Sequence, residues 1–150
     1  MTTSLKQATE DVLGMFLTDW ETSGRASEIS VGSYVPVHWP NVQDDPPTNT
    51  NLEWVRANLI NTGSGRHSGI GDGTGRYRKD GMLIFQIFTV KGAGIERAND
   101  LAQQIVDIYD GETSANNVRF TQTSVDTVGP EDGGWFQTNV TIFYEYEEFK

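Results

Sequence analysis

Cysteine is absent from this 150-residue chain, which excludes disulfides, thiolate metal sites and cysteine nucleophiles together. That absence suits a protein made in a reducing cytoplasm. Long apolar runs are missing too. The longest, Met82 to Phe85, has four residues, far short of the roughly 20 that a bilayer-spanning helix needs. Lys6 is followed by Gln7, Thr9, Glu10 and Asp11, so no apolar signal-peptide core follows the N-terminus. The chain therefore reads as soluble, with no membrane partner. Basic residues are scarce: 11 Lys and Arg face 21 Asp and Glu, a formal charge of −10. A protein of that sign repels nucleic acid phosphates unless its bases are gathered in one place.

They are partly gathered. Between Arg56 and Lys79 lie Arg56, Arg66, Arg76, Arg78 and Lys79 with Asp72 as the only acid, so this stretch is +4 and the rest of the chain −14. Such segregation makes a self-complementary assembly electrically plausible, although a solvated basic face would look the same. Apolar residues make up 36% of the sequence, enough for one core, and residues 1–150 read as a single domain.

Along the chain, residues 4–20 carry a helical pattern, with Leu5, Ala8, Val12, Met15 and Phe16 at steps of three and four. Ser4 and Gln7 stand at capping-box spacing. Glu21 to Ser33 reads as a connector and Tyr34 to Trp39 as a strand, which Pro36, lacking an N–H, pushes to a sheet edge. Pro40 to Asn51 reads as a loop and Glu53 to Ile60 as a strand. Asn61 to Gly75, with glycine at 63, 65, 69, 71, 73 and 75, reads as a long mobile loop. Met82 to Val90 is apolar on both faces, which places it mid-sheet. Ile95 to Tyr109 is an amphipathic helix stopped by Gly111. Val118 to Val128 and Trp135 to Glu147 complete the strands, joined by the turn Gly129 to Gly134. The expected fold is α+β: one mostly antiparallel sheet, two helices packed on one face, and a long Gly-rich loop between strands.

Catalytic signatures fail one after another. The glycine-rich loop lacks the lysine of a phosphate-binding loop, and Arg76 stands where a dinucleotide fingerprint needs its third glycine. His38 and His67 lie in different segments without metal-ligand spacing. The carboxylate pairs Glu96/Asp100 and Asp107/Asp110 fall on the wet face of a helix, where nothing apolar would raise a pKa for acid–base work. No enzyme and no cofactor is expected. Trp54 and Arg56 are different: strand alternation puts both on one side, and an arginine beside a tryptophan is a common interface device.

The order of these features resembles a known family. A Trp-x-Arg strand (Trp54, Arg56) precedes the glycine-rich loop, then Arg78-Lys79-Asp80-Gly81 leads into Met82 to Phe88. Gly92-Ala93-Gly94 opens the helix that ends near Tyr109-Asp110-Gly111, and Val118-Arg119-Phe120, Gly134-Trp135-Phe136-Gln137 and Phe143-Tyr144-Glu145-Tyr146 follow. From about Val35 to Glu147 the sequence resembles the tail terminators, or minor tail proteins, of long-tailed, non-contractile (lambda-type) bacteriophages. Its loop, with Gly71-Asp72-Gly73-Thr74-Gly75, is longer than the family pattern.

The resemblance implies a structural virion protein assembled in the host cytoplasm. Family members form a ring, usually a homohexamer, that caps the tail tube, ends its polymerisation and presents the head-joining surface. The implied partners are other copies of the chain, the tail tube protein and a head-completion or neck protein. The subunit interface expected on this basis comprises Trp54, Arg56, Arg76, Arg78, Glu145 and Glu147, with the arginines meeting a neighbour's glutamates. Arg66, His67 and Asp72 would belong to a loop that orders on partner docking. Six copies would carry about −60 in charge, letting DNA pass through the ring without specific binding. The alternatives are a neck or head-completion (stopper) protein, a tail tube subunit, or a small acidic α+β enzyme or ligand-binding module.

Overall fold

A computed structural model describes residues 2–22, 35–42, 53–68, 75–92, 94–130 and 134–149. Helix α1 (Leu5–Leu17) and a π-helical turn (Thr18–Thr22) come first, followed by β1 (Val37–His38), β2 (Trp54–Ser68) and β3 (Arg76–Val90). Helix α2 (Glu96–Tyr109), β4 (Arg119–Pro130) and β5 (Trp135–Phe149) complete the chain. Together they make an α+β fold with one five-stranded sheet of order β1-β2-β3-β5-β4. Every pairing is antiparallel except β1 with β2. β3 holds the centre, as its two-sided apolar pattern requires.

Helix α1 starts where the sequence says it should. The Ser4 hydroxyl accepts from the Gln7 N–H at 3.2 Å, and the Gln7 side chain accepts from the Ser4 N–H at 2.9 Å, so two otherwise orphaned donors are satisfied. Its buried stripe is Ala8, Val12 and Phe16; Leu5, expected on that stripe, is exposed. The π turn continues the stripe to Trp20, which is fully buried, stacks on Phe16 and donates its indole N–H to the Val35 carbonyl at 3.0 Å. Helix α2 buries Ala98, Leu101, Ala102, Ile105 and Tyr109 and stops at Gly111, whose φ of 75° suits glycine. Ile95, expected on the apolar stripe, stands instead at the N-cap position, makes no side-chain cap and is exposed. The Tyr109 hydroxyl donates to the Val12 carbonyl at 2.7 Å, tying one helix to the other.

Alternation along the strands decides what joins the helices. Val55 and Ala57 of β2, Leu83, Phe85 and Ile87 of β3, and Val140, Ile142 and Tyr144 of β5 form one cluster with the buried residues of α1 and α2. The register explains why they meet: Val55 lies opposite Ile87, Ala57 opposite Phe85, and Phe85 opposite Val140. Burying each such side chain is worth roughly 1.5–3 kcal/mol. Val125 of β4 is exposed.

Two expectations fail in instructive ways. The strand over Tyr34 to Trp39 shrinks to Val37–His38, though it does lie at the sheet edge, and Tyr34 is outside the described residues. The loop over Asn61 to Gly75 is largely strand: β2 continues through Ser68, pairing Asn61 to Ser68 with Gly81 to Arg76. Glycine is a poor strand residue in isolation, but here each main-chain group lies beside an already fixed β3, and ladder hydrogen bonds override propensity. Residues 69–74, including Asp72, lie outside those described.

Gly81 is required by a close approach. A Cβ there would collide with the ring and hydroxyl of Tyr144, and Tyr144 is buried and stacked on Tyr146. Burial and the neighbouring Tyr146 push the Tyr144 hydroxyl pKa up to about 12. Gly81→Ala should therefore destabilise the fold by about 1–3 kcal/mol through overpacking. In a Tyr144→Phe background the same change should cost measurably less, and denaturant unfolding of the four proteins of this cycle checks it.

Candidate functional site

The second face of the sheet carries what the first does not use. Its rows run across the strands: Trp54 beside Phe88 and Gln137, then Arg56, Gln86 and Asn139, then Asn58, Ile84 and Thr141, then Ile60, Met82 and Phe143. None of these residues belongs to the cluster that includes the helices. Arg56, Asn58 and Ile60 are exposed, and Met82, Ile84, Gln86 and Phe143 are half-buried.

At one end stands an aromatic group. Trp54, Phe88 and Trp135 form a small cluster of their own, with Trp54 stacked on Phe88 at 4.1 Å and edge-on to Trp135 at 5.9 Å. His38, half-buried, lays its ring against Trp54 at 4.6 Å, a packing role in keeping with its place beside Trp39. The Arg56 guanidinium lies 5.8 Å from the Trp54 ring and 5.4 Å from Phe88, and its Nε donates to Gln86 Oε1 at 2.6 Å. The expected Trp54–Arg56 pair is thus real, fixed by Phe88 and Gln86 from β3. Arg56 makes no ion pair with a described residue, and the buried Trp54 indole N–H has no acceptor among them.

At the other end the face becomes ionic. Arg76 and Glu147 are directly hydrogen-bonded, Arg78 sits 3.3 Å from Asp80 and 3.9 Å from Glu145, and Lys79 sits 3.5 Å from Glu148 on the reverse side. Arg119 of β4 reaches Glu145 at 3.1 Å and Glu147 at 3.5 Å. Four cations therefore meet four carboxylates within one chain. Where a neighbour's glutamates were expected, Arg76 and Arg78 reach Glu147 and Glu145 of their own chain, so the +4 stretch meets acids where it joins β5. The physical reason is register. Antiparallel pairing sets Arg78 directly opposite Glu147 and Arg76 opposite Phe149, and the long side chains reach along the same face.

Arg66 and His67 are not in a loop; they occupy β2 near its end, with Arg66 opposite Tyr77. Missing from the expected set were Arg119, Gln86, Phe88, Met82 and Phe143. Parity along Met82 to Phe88 already grouped Met82 and Phe88, but only the pairing with β5 could add Phe143 and Arg119.

A cleft of about 520 Å³ between α1 and α2 is lined by Glu10, Asp11, Asp19, Asp107 and Glu112. Burial tends to raise the Asp11 pKa, but hydrogen bonds from Ser114, the Asn116 N–H and the Asn116 side chain together hold it below the usual carboxylate range. A carboxylate so held is a clamp between α1 and the turn before β4, the reverse of a poised general acid. Among the described residues no group of three or more potential metal ligands forms, and no helix is long and apolar enough to cross a membrane.

Comparison with known proteins settles the lineage. The family model described as phage tail terminator protein matches residues 21–144. The chain belongs to the phage tail terminator family. It is accordingly a structural component of a phage tail, and its place is in the virion. No curated protein matches it. A solved structure 18% identical covers 95% of both chains with a TM-score of 0.57, which shows a shared fold. The type 4 fimbrial biogenesis protein PilO of Pseudomonas aeruginosa aligns over 61% of this chain and 57% of its own. At 9% identity and a TM-score of 0.25 that likeness carries no argument.

For this tail-terminator chain the ionic cluster has a pH signature. The hydrogen bond from Arg76 holds the Glu147 carboxyl below the usual glutamate range against the opposing effect of burial, and the charges of Arg76 and Arg119 add to it. A lowered folded-state pKa stabilises the protein above the unfolded value, and that contribution is lost as pH falls through the folded one. Glu147→Gln should therefore be less stable than the parent at neutral pH. The gap should close progressively below about pH 5, as thermal melts across pH will show.

Proposed function

We propose that this protein is the ring-forming terminator of a long phage tail, capping the tube, ending its polymerisation and offering the surface to which the head joins. The observation that carries the reading is the family match over residues 21–144. The site supports it with two unlike surfaces on one chain. The sheet carries an aromatic, Arg56-bearing face, while Glu10, Asp11, Asp19, Asp107 and Glu112 give the helix side a strongly acidic cleft. A closed ring needs such a heterologous pair, one patch meeting a different patch on the next copy. Six copies suit the reading. Trp54 and Arg56 form the subunit interface, Arg56 meeting a neighbour's carboxylate or carbonyl. Arg76, Arg78, Glu145 and Glu147 stiffen the strand ends that approach that neighbour. Arg66 and His67 near the end of β2, together with Asp72 in the sequence that follows, contact the tube or head-completion protein.

Arg56 is exposed at its head and rests on rings that pack without it, so Arg56→Glu should leave the monomer folded. The variant should run as a monomer in sizing columns, where the parent runs as a ring and appears as a small annulus by electron microscopy. Rings surviving in the variant would remove Arg56 from the interface. Long cylinders from the parent would make it a tube subunit instead, and a parent monomeric at every concentration would overturn the ring. With its net charge of −10 per copy, the assembled ring should show no measurable binding to duplex DNA at physiological salt, checked by fluorescence anisotropy.

A further inference from the structure

The sheet ends in two edges that no described residue covers over most of their length. On one side β1 pairs only with Val55 and Arg56, leaving the outer edge of β2 from Asn58 to Ser68 without a strand partner among the described residues. Asn58 and Ile60 to Gly65 are exposed there. On the other side β4 is the last strand of the sheet, paired to β5 and touched outside it by a single bridge from Thr113 to Arg119 at its start. Register shifts at Phe120/Gln122 and Thr127/Gly129 bound a regular stretch, Gln122 to Thr127. Each open edge presents a row of unpaired N–H and C=O groups, a template for another strand.

Natural edges are usually blunted by charge, lysine above all, by proline, bulges, a covering helix or extreme shortness, and on β4 the bulges stand only at the two ends of the regular stretch. Gln122 to Thr127 contains neither lysine nor proline, and four of its six residues are Thr, Ser or Val. Val125 and Val128 are 46% and 53% exposed, and Ile60 on the opposite edge is 44% exposed. Charge agrees as well: Asn58 to Ser68 carries Arg66 and no acid, whereas Gln122 to Pro130 carries Asp126 and no base.

We propose that these two edges pair with each other between copies, β4 of one subunit adding to β2 of the next, so that the sheets of the ring join into one continuous closed sheet. The occupant of each edge is a second copy of this chain. The regular length of β4 sets the seam at about six residues on that strand. Head-to-tail pairing of unlike edges is heterologous, and closure removes both edges at once, which is how barrels solve the same problem. Sheet twist supplies the turn from copy to copy. This pairing rests on the ring reading above and adds a main-chain seam beside the Arg56 contact, since β1 already holds the edge of β2 at Arg56.

Hydrogen exchange on the full chain tests it. On passing from dilute monomer to assembled ring, amides in 58–65 and in 122–127 should slow by about tenfold or more, while the core of β3 changes little. Rings whose two edge segments exchange as fast as in the monomer would overturn the seam and leave the ring reading standing. A chain that never assembles would overturn both. Ser124→Pro and Val125→Pro give a second arm. Adjacent residues of an antiparallel strand turn their N–H groups alternately inward and outward, so one variant breaks the β4–β5 ladder and lowers the melting temperature. The other keeps that temperature and should lose the ring; its assembly at the parent's level would refute the seam.

Discussion

The structure depends on β3 being paired on both sides. It is matched to β2 from Arg76 to Phe88 and, residue for residue and without a register shift, to β5 from Arg76 to Val90. Because side chains alternate, this single ladder determines two surfaces at once. Leu83, Phe85 and Ile87 go to the cluster that includes the helices, and Met82, Ile84, Gln86 and Phe88 go to the other face. A slip of one residue would exchange the two sets and expose the core. Gly81 and Tyr144 hold that register from the side, since the ring occupies the space that any side chain at 81 would need.

Charge in this protein is a matter of placement more than of total. The basic stretch loses its excess where it lies beside β5, because Glu145, Glu147 and Glu148 fall within reach of Arg76, Arg78 and Lys79. Exposed ion pairs of this kind add little stability individually, and several share carboxylates with Arg119, which makes them act as a group. Carboxylates still gather along the cleft between α1 and α2, and the guanidinium of Arg56 lies on its aromatic bed without an ion pair among the described residues.

Much of this was readable beforehand where the signal is local. The capping box of Ser4 and Gln7, the stripe of α2, the stop at Gly111 and the alternation of β5 all depend on residues a few positions apart. So does the stacking of Arg56 beside Trp54, one strand repeat away. The continuation of β2 through Gly63 and Gly65 was not readable, because glycine spacing signals freedom unless a partner strand is already in place. Nor was the role of Arg119, 26 residues from Glu145 in sequence and next to it in space.

By itself the sequence determined that the chain is acidic, cysteine-free and α+β, with β3 at its centre, and the order of its motifs marked the tail terminator lineage. Only the tertiary structure decided that Arg76, Arg78 and Arg119 reach glutamates of their own chain and that β2 runs on through Ser68 into the expected loop. Both outcomes follow from long-range strand register, which is set by which strands become neighbours and is invisible to any pattern of nearby residues.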